Sequence, residues 1–320
     1  MLFGLRFDLR NPAFAGVDMA DRYQAALDMC EWADERGALY VIVSEHHGSD
    51  DGYLPSALVM AAAIAARTTS VAIGINAPIA PFHDPLRLAE DAAVVDLLSR
   101  GRLNLTIAGG YVAEEFEMFG VPIAERPARV REAVATLKAA WTGEPFEHRG
   151  RTVRVLPTPS QPGGPRIMLG GSSEAAARRA ARIADGFMPS EPRCWEFYRD
   201  ECLKLGKPDP GPGFTGHGHV VVLAEDPDSA WTELGPYLMH ETNAYGAWQA
   251  AADIEATYRP VTDIAELRAG SQYRILTPDD YAAELAAAGG RALATLHPMV
   301  GGIPPELAWR SLRLFEKACL

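Results

Sequence analysis

Histidine titrates nearest neutral pH, so a Glu45-His46-His47 triplet directly after the apolar run LYVIVS (39–44) is the first place to look for proton-transfer chemistry. Successive side chains of a strand point to opposite faces, so a regular strand aims only one of the two imidazoles into a pocket. Tyr40, Ile42, Ser44 and His46 share one parity, and the small polar Ser44 suits a crowded interior below a pocket. The bulkier Leu39, Val41 and Val43, with Glu45 and His47, suit a layer packed on helices. Parity therefore makes His46 the catalytic member and leaves His47 to stability. No other histidine or carboxylate stands at a metal-ligand spacing. Cys30, Cys194, Cys202 and Cys319 form neither a C-x-x-C pair nor a zinc pattern, so free thiols and no metal are expected.

A second group of residues has the chemistry of an anion site. Gly170-Gly171-Ser172-Ser173 leaves the strand RIMLG (166–170) and opens an Ala-rich helix, whose free N–H groups attract negative charge such as phosphate. The plain structural alternative is that Ser173 caps the helix with Glu174 in its first turn, and the two are compatible. The pattern is neither G-x-G-x-x-G nor a P-loop with its lysine, which disfavours a nicotinamide dinucleotide and ATP. Gly109-Gly110-Tyr111 is either a close backbone approach to a flat ring or simply a turn. Asp8 and Asn76-Ala77 complete the polar strand ends, whereas His217 and His219, at the start of a strand, read as structural. Asp96, Ser99 and Arg102 are expected to fix a loop on the face opposite the chemistry.

Positioning these residues requires strands that end together. Strand-length runs at 2–7, 39–44, 71–76, 102–108, 166–170, 186–190, 219–224 and 292–297 alternate with helical stretches, several opened by proline. Eight such repeats predict an α/β protein, a (β/α)8 TIM barrel occupying 1–320 as one domain, with a doubly wound open sheet as the alternative. Two stretches exceed ordinary loops and are expected as insertions at the mouth: 109–165 after strand four, with a helix and a hairpin across FEHRGRTVRV, and 226–277 after strand seven, with a helix at 227–238. The 320 residues are 48% apolar and carry a net charge of -12, which speaks against nucleic acid or an anionic membrane surface as partner. With charges at Arg6, Asp8 and Arg10 and no membrane-length apolar run, the expectation is a reduced, cytoplasmic protein acting on small molecules.

The ordered blocks ADERGALYVIVSEHH, PSALVMAAAIAARTTSVAIGINAPIAPFHDPLRLAEDAAVVDLLSRGRLNLTIAGGYVAEEFEMFG, ERPARVREAVATLKAAWTGEPFEHRGRTVRV, PRIMLGGSSEAAARRAARIADGF and GGIPPELAWRSLRLF resemble the bacterial luciferase-like family of flavin-dependent oxidoreductases along essentially the whole chain. The resemblance implies a (β/α)8 barrel with a flavin or deazaflavin at its mouth. It implies that His46 lies by the flavin ring with Glu45 as acidic neighbour, that Asn76-Ala77 is a non-proline cis peptide under the ring, and that Gly170, Gly171, Ser172 and Ser173 bind the phosphate. Asp8, Gly109, Gly110 and Tyr111 are counted among the cofactor contacts. Ala108 and Gly109 stand where luciferases have cysteine and arginine, which argues against bioluminescence and removes one anion contact. His217-Gly218-His219 replaces the Arg-x-His of the alkanesulfonate branch and argues against a sulfonate. The leading expectation is a monooxygenase using reduced FMN and oxygen on a small organic substrate. It carries with it a separate flavin reductase and a homodimer. The alternatives are hydride transfer with a deazaflavin (coenzyme F-420), whose branches more often carry an Asp-His-Phe-like triplet, and a flavin-binding protein without turnover.

Overall fold

The structure is a computed structural model, described here for residues 2–213, 220–254, 258–289 and 293–320. In chain order its elements are β1 (Leu2–Phe7), α1 (Met19–Glu35), β2 (Tyr40–Val43), α2 (Ala57–Arg67), β3 (Ala72–Ile79), α3 (Pro85–Ser99), β4 (Leu103–Ala108), α4 (Ala113–Phe119), α5 (Arg126–Ala140), β5 (Phe146–His148), β6 (Arg151–Val153) and β7 (Arg166–Gly171). They continue with α6 (Glu174–Ile183), β8 (Gly186–Pro189), α7 (Cys194–Lys204), β9 (Val220–Leu223), α8 (Pro227–Ala251), α9 (Ile264–Ala269), β10 (Tyr273–Leu276), α10 (Pro278–Ala288), β11 (Leu293–Leu296) and α11 (Pro305–Cys319). The fold is α/β, and it resolves into two compact units, each with parallel strands.

The first unit comprises Met1–Pro55, Arg67–Val71 and His217–Leu320. Its β1 lies between β11 and β2, with Gly4 level with Thr295 on one side and Tyr40 on the other. Alternation divides β1 cleanly. Phe3, Leu5 and Phe7 are buried, Phe3 against Trp32 and Phe315 on α1 and α11. Gly4 and Arg6 take the other face, where a Cβ on Gly4 would lie 2.4 Å from the Tyr40 ring. Helix α1 starts at Asp18, whose carboxylate accepts from Ala20 N, and buries Ala26, Met29, Trp32 and Ala33.

The second unit comprises Ser56–Ala66 and Ala72–Gly216. Its strands run in the order β3, β4, β7, β8, and β5 and β6 form an antiparallel hairpin in the stretch where one was expected. Asp96 on α3 is fully buried and accepts from Gln161 N at 2.9 Å and Gln161 Nε2 at 2.7 Å. The carboxylate thus holds the loop before β7 and not the connection between α3 and β4 that its sequence position suggests; in that connection Arg102 N donates to Ser99 Oγ at 3.3 Å and Arg102 Nε to Ser99 O at 2.7 Å.

Several boundaries differ from the expectation, each for a physical reason. The expected excursion 226–277 is built largely of regular elements. Helix α8 runs to Ala251 through Pro236, although a proline inside a helix removes one backbone hydrogen bond. Burial of Leu238, Glu241, Thr242 and Tyr245 beyond it outweighs that cost. Gly246 allows the returning chain close to the helix, since a Cβ there would meet Pro260 Cδ at 2.6 Å. Strand β10 is absent from the expected set, because a four-residue run containing an arginine carries little pattern; it pairs in parallel with β9. Among the described residues nine strands therefore pair in parallel where eight were expected. Strand β3 extends three residues past the predicted end, so Asn76 and Ala77 lie inside it. His217, Gly218 and His219 lie outside the described residues.

Asp34 ties the segment before β3 to α1. Its carboxylate accepts from the backbone N–H groups of Thr69, Ser70 and Val71 at 2.6, 2.9 and 2.6 Å, and from both hydroxyls. Partial burial opposes its ionisation, but those donors hold the carboxyl well below its usual range. We expect Asp34→Ala to destabilise the fold by about 1–3 kcal/mol at neutral pH, as for the loss of charge-assisted hydrogen bonds. Because the folded-state value is depressed, this contribution is complete above the unfolded carboxyl's titration and shrinks below about pH 4. Denaturant melts of both proteins at pH 7 and pH 3 would reveal that convergence.

Candidate active site

Strand alternation ends at Val43, so the orientation of the Glu45-His46-His47 triplet is set by the loop that follows. His46 N donates to Leu54 O at 3.2 Å, and Leu54 N donates to Asp8 O at 3.1 Å, which binds the ends of β1 and β2 together. His46 is 8% exposed. Its ring stacks on Trp248 (centroids 4.5 Å apart, 30° between planes) and meets Tyr53 edge-on at 4.9 Å, with Tyr245 at 5.9 Å. His47 Nε2 lies 3.1 Å from Glu45 Oε1, so that carboxylate serves His47. Strand parity therefore does not reach the two imidazoles: the loop places them, with His46 buried and His47 half-buried beside Glu45.

Beneath this cluster lies a dense charge network. Arg10 is fully buried; its Nη1 donates to Asp51, and its guanidinium carbon lies 4.7, 4.8 and 4.8 Å from the ring centres of Tyr53, Tyr245 and Trp248. Arg10 Nε and Nη2 have no hydrogen-bond partner among the described residues, although Nε is 3.8 Å from Asp8. Asp51 also pairs with His240 Nε2 at 2.7 Å and accepts from Ser49 Oγ at 2.5 Å. Burial opposes its ionisation, yet His240, Arg10 and Ser49 hold it well below the usual carboxylate range. Asp8, expected as a cofactor contact, is buried and accepts from Arg10 N at 3.1 Å and Gly301 N at 3.3 Å. Its carboxylate is engaged in holding backbone.

Deeper in the same unit, Glu241 on α8 accepts from Tyr273 Oη at 2.7 Å. Burial, then the charge of Asp8, pushes its carboxyl up to about 7 against the pull of Arg6, Tyr273 and Arg10. His297, just past β11, is driven well below its usual value by burial and then by Arg6, so it is neutral.

The second unit holds the other predicted residues. The Asn76-Ala77 bond is cis, and Asn76 Nδ2 lies 3.3 Å from Met188 Sδ on β8. Gly110 has φ +70°, and a Cβ there would stand 2.7 Å from Ile79 Cγ2, so the turn itself demands glycine. Gly109 and the half-buried Tyr111 flank it. Gly170 and Gly171 end β7; a Cβ on Gly171 would lie 2.5 Å from Ala176 Cβ, which leaves that backbone bare at the start of α6. Ser173 caps α6, accepting from Ala176 N at 3.3 Å, and Ser172 precedes it half-buried. Arg126 Nη1 donates to Gly110 O at 3.0 Å. Burial and the nearby charges of Arg131 and Arg126 lower Arg179 on α6. Neighbouring Arg129, Arg178 and Arg182 are paired with Glu125, Glu174 and Glu201, whereas Arg126, Arg131 and Arg179 make no ion pair among the described residues. A bare glycine backbone, two serines at a helix start and three uncompensated arginines fit a phosphate.

A family model described as luciferase-like monooxygenase matches residues 3–297. The chain belongs to that family. It is thereby a member of a family of flavin-dependent monooxygenases and oxidoreductases. It is 32% identical over 142 residues to the oxygenase component of a flavin-dependent trigonelline monooxygenase from Acinetobacter baylyi, over 44% of this chain and 39% of that one. It is 30% identical over 195 residues to an F420-dependent glucose-6-phosphate dehydrogenase of Amycolatopsis mediterranei, over 56% of this chain and 58% of that one. It thus spans less than two thirds of either relative. Among solved structures, monooxygenase RslO1 from Streptomyces bottropensis matches with a TM-score of 0.76 at 25% identity, covering 100% of this chain and 98% of that one.

In this luciferase-like chain, reading strand ends alone missed Arg6, Arg10, Glu241 and the three arginines of the second unit. Arg6 was within reach of the parity rule, since it shares the face of Gly4. The arginine trio was not, because its members are brought together only by packing. No helix among the described residues is long and apolar enough to cross a membrane.

Glu241 supplies a test of the charge network. A carboxyl raised in the folded state contributes its stability below the unfolded value and loses it as pH rises toward the folded one. Glu241→Gln, which keeps an acceptor for Tyr273, should therefore gain on the parent by about 3 kcal/mol between pH 4 and pH 8, because each tenfold difference in proton affinity between the folded and unfolded chain is worth about 1.4 kcal/mol. Thermal melts across that range should show the gap opening upward; a gap independent of pH would place the ionisation elsewhere.

Proposed function

We propose that the chain is a flavin-dependent monooxygenase that uses reduced FMN and oxygen to oxidise a small organic substrate. It would work on a closed (β/α)8 barrel with insertions after the fourth and seventh strands, as the family resemblance implies. The observation that carries the reading is an imidazole shut away from water by Tyr53, Tyr245 and Trp248. Such exclusion strengthens electrostatic interactions and suppresses side reactions with solvent.

When bound, reduced FMN supplies the electrons that activate oxygen. The chain's own residues do the rest. The Gly171 backbone, Ser172 and Ser173 hold the phosphate, with Arg126, Arg131 and Arg179 supplying positive charge. His46, its ring plane fixed by Trp248 and Tyr53, carries a proton to or from the substrate, and Glu45 holds His47 beside it. A separate flavin reductase as the source of reduced FMN and a homodimer belong to the same proposal. Hydride transfer with coenzyme F-420 is the second reading, supported by the F420-dependent relative.

Anaerobic titration of the apoprotein with reduced FMN, oxidised FMN and F-420 separates these readings. Tightest binding of reduced FMN is expected. A preference for F-420 would install the second reading, and oxidised FMN held through purification would indicate a flavin protein without turnover.

Replacing Ser172 and Ser173 together by aspartate should abolish cofactor binding by like-charge repulsion while the fold persists, since aspartate also caps helices. Normal FMN binding by that variant would move the phosphate elsewhere. His46→Ala should lose about 100- to 10,000-fold in turnover, the usual worth of a positioned proton carrier, with cofactor affinity little changed. His47→Ala should mainly cost stability, and steady-state kinetics giving the reverse ranking would reassign the role.

A further inference from the structure

The second unit contains a cavity of about 540 Å³ where β7 begins, within the roughly 300–1,000 Å³ of small-molecule sites. Five steps along the strand, about 17 Å at the usual rise, separate it from the Gly171 end and the serines proposed to hold the cofactor phosphate. Its wall comes from separate stretches: Lys138 and Trp141 at the end of α5, the turn 161–165, Arg166 and Ile167 on β7, and Asp185 before β8.

The turn is pinned in place. Gly163 and Gly164 both take positive φ, +79° and +93°, and a Cβ on Gly164 would lie 2.0 Å from the Trp141 ring. Gly164 N donates to Gln161 O at 2.9 Å, and Gln161 is tied in turn to the buried Asp96. Trp141 Nε1 donates to Ala89 O at 3.1 Å. These bonds hold the wall off the space it borders.

Two cations and one carboxylate line that space. Asp185 is fully engaged: Oδ1 accepts from Lys138 Nζ at 2.9 Å and Oδ2 from Ile167 N at 2.9 Å. Arg166 is not. Among the described residues its guanidinium makes one hydrogen bond, from Nη2 to Asp185 O at a long 3.4 Å, and no ion pair. One positive charge is therefore left over at the cavity, in a chain whose net charge is -12. An arginine on open surface is served by water alone, but here the guanidinium borders a walled space that also presents Pro162 and the Trp141 ring.

We infer that this cavity is a binding site for a small monocarboxylate with an apolar body, separate from the flavin site proposed above, and that Arg166 is the partner of the carboxylate. A guanidinium offers a carboxylate two parallel N–H donors, which a lysine cannot. The charge count sets the class: with Lys138 held by Asp185, one cation matches one negative charge. A dianion such as phosphate would bring a second negative charge against Asp185.

The test is equilibrium binding of phenylacetate and phenylacetamide to the full chain without flavin, read by ligand-observed NMR at low salt, with inorganic phosphate as competitor. Phenylacetate should bind about fivefold more tightly than its amide, the upper end for an ion pair that water still reaches. Phosphate at equal concentration should not displace it. Arg166→Met should abolish the preference. Asp185→Asn keeps an acceptor for Ile167 N and releases Lys138, so it should enlarge the preference. Opposite changes in the two variants are what a merely structural role of these side chains would not produce. Equal binding of the two probes by the parent protein, displacement by phosphate, or an undiminished preference in Arg166→Met would overturn the assignment. Should Arg166→Met fail to fold, Asp185→Asn decides: an enlarged preference supports the site, and an unchanged or reduced one counts against it. Because flavin is absent, failure here leaves the cofactor titration untouched, and failure of that titration leaves this result standing.

Discussion

The Arg10 guanidinium is fully buried, and a charge in that position has to be matched from every side. Asp51 answers it from the loop after β2, Asp8 from the end of β1, and the faces of Tyr53, Tyr245 and Trp248 close the remaining directions. Those partners come from three separate stretches of chain, so satisfying one cation brings the β1 end, the loop at 44–54 and the second half of α8 together. His46 inherits its position from that arrangement: its stacking partner Trp248 and its edge partner Tyr53 are two of the rings around Arg10.

The same constraint accounts for the length of α8. Local chemistry gives it reason to stop near Pro236, yet Glu241, Tyr245 and Trp248 all lie beyond that residue. The hydrogen bond lost at the proline is offset by what the continuing helix buries and by the partners it delivers to Arg10, Tyr273 and His46. Glu241 shows the cost of such enclosure, a carboxyl raised toward neutrality because water cannot reach it.

The second unit solves a different problem, presenting bare backbone and positive charge that are only partly buried. Gly171 and Gly110 are held to glycine by close neighbours, Ala176 in one case and Ile79 with a positive φ in the other. Ser173 spends its oxygen on Ala176 N, and the uncompensated arginines lie on α5 and α6. Capping by Ser173 leaves the bare glycine backbone at the same helix start open, which is why the two readings of this loop are compatible.

Much of this was legible in the sequence. Alternating apolar runs and helical stretches defined the βα order, proline and aspartate marked the helix starts, and the Gly-Gly-Ser-Ser loop and the Glu-His-His triplet stood out, because each depends on neighbours a few residues away. Tertiary structure decided the rest. It gave Glu45 to His47 and Asp8 to the backbone of Arg10 and Gly301, since those pairings are set by loops that no periodicity describes. It carried α8 past a proline, added β10, and drew Arg10, Asp51, Tyr245 and Trp248 around one point although they are far apart in the chain. Local pattern reports which face of an element is apolar; which charges share a buried space depends on packing between distant segments, and that information appears only once the chain has folded.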